Sequence, residues 1–98
     1  MVASVSPFLT NLPLKFALSV SPNPMKLGTA IRYAVPTAAN VSLKLYDITG
    51  ALAKTVRNGR VQAGRYTASL PAKGLARGVY ILKLQSDACS LTRKLVIE

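Results

Sequence analysis

The side chains that carry chemistry are scarce in this sequence. It has no His, three acids (Asp47, Asp87 and Glu98) and one Cys, Cys89, against 13 Lys and Arg in 98 residues. Without His there is no ready general base near neutral pH, no His-dependent triad and no imidazole ligand for zinc. A glycosidase needs two carboxylates across a cleft, but Asp47 sits in a turn sequence and Glu98 stands at the last position given. Calcium asks for several carboxylate oxygens. A phosphate loop needs clustered glycines, and those at 28, 50, 59, 64, 74 and 78 are isolated. Cys89, between the small residues Ala88 and Ser90, has no His to activate it and no partner for an internal disulfide, so it reads as structural. The expectation is a non-catalytic domain with no cofactor and no metal.

Charge is what remains. A formal net charge of +10 on so short a chain favours anionic partners: nucleic acid, acidic glycans, lipopolysaccharide or anionic cargo. Arg32, Lys44 and Lys83 fall at outward strand positions and form the candidate anion-binding face, with Lys94 also outward and Arg57, Arg60 and Arg65 near an expected fourth-to-fifth hairpin. The plainer reading of the same charge is solubility. Specific nucleic-acid recognition is disfavoured, because there is no Trp and Tyr33, Tyr66 and Tyr80 take core-facing positions, leaving Tyr46 alone to stack a base. Carbohydrate binding meets the same objection.

The elements that would position these residues are short and extended. Half the residues are hydrophobic and only 16% are charged, which points to a folded domain, and no apolar run approaches the ~20 residues of a membrane helix. Residues 1–14 lack periodicity and read as a linker or the tail of a preceding domain. They have no basic stretch ahead of an apolar one, so the chain reads as a fragment of an exported protein lacking its signal peptide. From Lys15 onward, alternating runs recur between Pro, Gly, Asn and Asp punctuation. The predicted strands are Lys15 to Val20, Thr29 to Val35, Asn40 to Tyr46, Ala51 to Arg57, Gly64 to Leu70, Gly78 to Ser86 and Ser90 to Ile97. Pro22-Asn23-Pro24 and Pro36 stop the first two, since proline removes a ladder donor. Asp47-Ile48-Thr49-Gly50 is a turn, with Asp bonding its own backbone and Gly free to take positive φ. Asn58-Gly59 signals another hairpin. Residues 72–77 could form one helical turn at most. The fold class is all-β: an immunoglobulin-like sandwich of about seven antiparallel strands in two sheets over residues 15–98. Tyr80, entering the sixth strand, is either an ordinary core Tyr or a tyrosine corner bonding back to loop backbone.

In order, Phe16-x-Leu18, Pro22-Asn23-Pro24, Ile31-x-Tyr33, Val41-x-Leu43-x-Leu45-Tyr46-Asp47-Ile48-x-Gly50, Ala63-Gly64-x-Tyr66, Leu75-x-x-Gly78-Val79-Tyr80 and Lys94-Leu95-Val96 form a recognisable series. It resembles the type A C-terminal sorting domain of the type IX (Por) secretion system, and is similar to the Ig-like domain of flagellar hook-capping proteins. The resemblance covers residues 16–97. It implies a domain that directs a fused cargo through the periplasm and across the outer membrane to the cell surface, with the secretion machinery and the cargo as partners. It also makes Pro22, Asn23, Pro24, Asp47, Gly50, Gly64, Gly78, Tyr80 and Lys94 this chain's motif positions, mostly in turns and core. Ala51 and Ala53 depart from the Arg and the larger apolar residue common there, and Lys94 to Glu98 lacks a basic tail. The alternative is a structural or adhesive module that binds protein or glycan, or associates with itself through its sheet edges.

Overall fold

Alternation builds the domain. In the computed structural model, which describes residues 13–98, β3 (Ala39–Asp47) buries Val41, Leu43 and Leu45 and turns Ser42 and Lys44 to the other face. A period of two leaves no other option once one face is covered. The same rule buries Ile31, Tyr33 and Val35 of β2 (Gly28–Val35), Leu70 of β5 (Gly64–Pro71), Tyr80, Leu82 and Leu84 of β6 (Gly78–Ser86), and Leu95 and Ile97 of β7 (Ser90–Ile97). β1 is Ala17–Ser21, two residues later at its start than the sequence suggested. It buries Leu18, while Phe16 and Val20 pack partly against the core. Most of the stretch read as a linker, residues 1–12, lies outside the described residues.

Among the described residues, seven antiparallel strands form two sheets, β1-β2-β5 and β4-β3-β6-β7, where β4 is Leu52–Val61. Among the described residues there is no helix, and residues 72–77 hold only a turn in which the Leu75 N–H donates to the Ala72 carbonyl at 3.0 Å. The fourth strand pairs with the third, not with the fifth as in the constant-type immunoglobulin sandwich.

This pairing overturns one expectation. Asn58-Gly59 is not a hairpin, and there is no fourth-to-fifth hairpin for Arg57, Arg60 and Arg65 to flank. β4 runs straight through Asn58 and Gly59, which sit opposite Ser42 and Val41, and ends at Val61 opposite Ala39. The chain then crosses between sheets at Gln62 and Ala63. The physical reason lies in β3. Its outer ladder must be covered to its first residue, so β4 continues past the turn-like dipeptide. Two register shifts, at Leu43/Lys44 and Leu45/Tyr46, absorb the extra length of β4 as bulges. Gly59 serves this path with φ +142, in open space, rather than making a turn.

Candidate functional site

Eight of the nine motif positions lie at or beside one end of the sandwich. Pro22, Asn23 and Pro24 lead from β1 to β2, Asp47 and Gly50 join β3 to β4, Gly78 and Tyr80 open β6, and Lys94 lies in the last half of β7. The pairings Asp47↔Tyr80, Gly78↔Ile97 and Met25↔Ile97 tie these segments together. Gly64 is the exception. It pairs with Val35 at the opposite end, near where residues 15–17 enter the fold.

The proline segment does more than stop β1. The Asn23 side chain donates from Nδ2 to the Lys94 carbonyl at 2.8 Å and accepts at Oδ1 from the Val96 N–H at 3.1 Å. An amide side chain thus copies a strand's donor–acceptor pair along the free edge of β7. Met25, fully buried, continues the cover: its N–H donates to the Val96 carbonyl and its carbonyl accepts from the Glu98 N–H, each at 2.8 Å. The buried Thr29 hydroxyl holds the segment by donating to the Pro22 carbonyl at 2.7 Å. The Lys94–Glu98 part of this sheet edge is therefore covered against strand addition. Sequence reading placed Asn23 and Lys94 in the motif set but gave no sign that they meet, being 71 residues apart.

Asp47 is spent on its turn. Its Oδ1 accepts from the Thr49 N–H at 2.9 Å, the Thr49 hydroxyl at 2.6 Å and the Ala51 N–H at 3.0 Å, while the Gly50 N–H donates to the Asp47 carbonyl at 3.0 Å. The Thr49 hydroxyl bond, joined by the backbone donors, holds this carboxyl below the usual carboxylate range. Folding therefore favours the ionised form. Its contribution to stability is present above an unfolded pKa of about 4 and is lost as pH falls through the lower folded value. With no His in the chain, the urea midpoint is expected to stay flat between about pH 5 and 8 and to drop below about pH 4. Asp47→Asn, which keeps an acceptor oxygen, is expected to flatten that drop, and a midpoint moving strongly near neutrality would contradict the assignment.

Gly50 takes φ +91 with nothing within 4 Å of a would-be Cβ, so the penalty for any side chain there is conformational and not steric. Gly50→Val is expected to cost roughly 1–2 kcal/mol, against about 0.5 or less for Ala51→Val next to it. Urea midpoints of the two variants test this, and equal shifts would mean the turn does not need positive φ.

Tyr80 is a tyrosine corner. Its ring is buried and its hydroxyl donates to the Ala76 carbonyl at 2.7 Å, pinning the loop before β6. Tyr66 repeats the device unforeseen: its hydroxyl donates to the Gln62 carbonyl at 2.6 Å, pinning the sheet crossing. The shared spacing Gly64-x-Tyr66 and Gly78-x-Tyr80, with each bond reaching four residues back, was the available signal. Tyr66 also stacks on Tyr33 at 5.3 Å between ring centroids. Burial raises the Tyr33 phenol above its ordinary value, partly offset by Arg57.

Arg32, Lys44 and Lys83 do not share a face. Arg32 lies on the outer side of β2 in the three-stranded sheet, whereas Lys44 and Lys83 sit directly opposite each other on the outer side of the four-stranded one. Equal alternation on both sheets made all three outward without saying which outside. Cys89 is half-buried in the β6–β7 turn, where its carbonyl accepts from the Ser86 N–H.

Comparison with known proteins places this geometry. The family model described as a secretion system C-terminal sorting domain matches residues 19–98, which is nearly all of the sandwich. No curated protein matches the sequence. A solved structure of PorZ, described as an essential bacterial surface component of the type IX secretion system of human oral-microbiomic Porphyromonas gingivalis, is similar in fold. It aligns with a TM-score of 0.58 and 22% identity over 84% of this chain, which spans 11% of that one.

Proposed function

The chain belongs to the family of secretion system C-terminal sorting domains, and from that premise we propose that it is the type IX export signal of a larger cargo protein, carried through the periplasm and across the outer membrane to the cell surface. The observation that carries this reading is the match over residues 19–98, which takes in almost the whole two-sheet core. The domain's contribution is delivery, and any catalysis belongs to the cargo.

Geometry supports a division of labour between the two ends. Residues 15–17 enter at one end, so a preceding cargo domain attaches there, while the motif turns gather at the other. The far end is thus the part of the fold most freely presented to the machinery. Domains occupy residues 15–98, with residues 1–14 as the connection to cargo. Lipopolysaccharide phosphates at the cell surface are the anionic partner that the +10 charge suits. The edges of the four-stranded sheet are poor surfaces for self-association: the last part of β7 is clasped by Asn23 and Met25, and the β4 edge is bulged and carries Lys54, Arg57 and Arg60 without an acid.

The test is a fluorescent cargo with its own signal peptide, fused ahead of residues 15–98. The fusion is expected on the surface of a host with type IX machinery and in the periplasm of one lacking the translocon. Lys94→Glu, at an exposed position whose backbone bond to Asn23 survives the change, is expected to leave melting unaltered and reduce surface delivery. A folded fusion that never leaves the periplasm of a competent host would overturn the reading.

A further inference from the structure

We propose that the outer face of the four-stranded sheet, at its motif end, docks an acidic protein segment that inserts an apolar anchor side chain. The inference goes beyond the export reading and stands on three features of this face.

The first is a cross-strand apolar row. Leu52 of β4, Tyr46 of β3 and Ile81 of β6 are consecutive partners in the ladder, and Ile48 projects from the adjoining turn. Leu52 is 53% exposed, Ile48 78% and Ile81 36%. Three of the five exposed large hydrophobics among the described residues therefore fall on one patch. Single exposed apolar residues are ordinary, but a contiguous row is the mark of a contact surface.

The second is the row beside it. Lys44 and Lys83 are direct cross-strand partners, flanked by Thr55 and Thr92, so the row holds two like charges and no acid. Like charges opposite each other are destabilising. The Asp47 carboxylate in the adjoining turn already takes the donors of that turn on its Oδ1. An anionic partner would relieve this repulsion.

The third is shape. Tyr46, Ile48, Ile81, Lys83 and Thr92 line a depression of about 470 Å³, with Asp47 and Gly50 of the turn at its edge, the Asp47 carboxylate held by its own turn donors. Concavity suits a protein side chain better than a flat bilayer, and a second copy, also at +10, would bring lysine rows against lysine rows.

The experiment uses the 98-residue chain and a synthetic peptide of alternating Glu and Leu with one central Phe. Backbone chemical shifts are expected to move at Tyr46, Ile48, Ile81, Lys83 and Thr92. Affinity is expected to fall roughly tenfold or more as salt rises into the physiological range. The pair Lys44→Glu with Lys83→Glu, and the pair Ile48→Ser with Ile81→Ser, are each expected to weaken binding by a similar factor with melting unchanged, while Arg32→Glu on the other sheet leaves it intact. Shifts confined to another surface, or binding indifferent to both pairs, would overturn the proposal, as would no binding at all. Sedimentation with phosphatidylglycerol vesicles that both pairs abolish while the peptide shows no binding, or a salt-dependent dimer that both pairs abolish, would overturn it in favour of a membrane or a second copy. All readouts are on the purified domain, so their failure is separate from any failure of export.

Discussion

Deleting residues 91–98 is expected to unfold the domain outright. The segment is most of β7, and it carries Leu95 and Ile97, both essentially inaccessible to solvent. Each large apolar side chain removed from a core costs on the order of 2–5 kcal/mol, against a total stability of about 5–15 kcal/mol. The loss does not stop at two side chains. β6 would forfeit one of its two neighbours, exposing backbone groups from Gly78 to Leu84. The Asn23 clasp and the Met25 bridge would have nothing to hold, and Met25, now fully buried, would meet water. Circular dichroism and urea titration of the truncated chain should show no cooperative transition. A truncated chain that still melts cooperatively near the intact midpoint would mean that β7 is an appendage and not part of the core. In the export assay the truncated fusion is expected to remain periplasmic, a result that unfolding alone would explain. Lys94→Glu is therefore the more informative variant for recognition.

A second large effect is expected from a pair of neighbours in β6. Leu82 is fully buried between the sheets, while Ile81 points the other way and remains partly exposed. Leu82→Ala removes most of a packed side chain and leaves a void, a change that costs about 2–5 kcal/mol. Ile81→Ala gives up contacts on an open face and is expected to cost about 1 kcal/mol or less. Chemical denaturation of the two variants measures the difference directly. Comparable losses would show that the outer face is covered in solution by something packing as tightly as the core. The contrast also matters for the docking surface, because it predicts that Ile81 can be altered without damaging the fold.

Much of the architecture was legible in the residues. Val41, Leu43 and Leu45, Tyr80, Leu82 and Leu84, and Ile31, Tyr33 and Val35 alternate so regularly that only a half-buried strand accommodates them. The Asp47 turn was equally legible, since Asp and Gly at its two ends each satisfy a local requirement within four residues. Asn58-Gly59 misled for a related reason. As a dipeptide it is a strong hairpin signal, but the unpaired first half of β3 is a non-local demand, and it overrode the local preference.

The sequence by itself determined what depends on neighbours along the chain: the strands other than the far half of β4, the buried face of those that alternate, the turn at Asp47 and the shortage of catalytic groups. Tertiary structure alone decided what depends on which strand lies beside which. Alternation states that a residue is inside or outside but does not name the sheet, so Arg32 parted from Lys44 and Lys83 only when β2 and β3 fell into different sheets. Asn23 met Lys94 across 71 residues because β7 closes beside the β1–β2 connection, and no period in the sequence encodes that closure. The Lys44–Lys83 pair and the apolar row beside it are likewise products of ladder register, fixed when one face of each strand had to reach the same core.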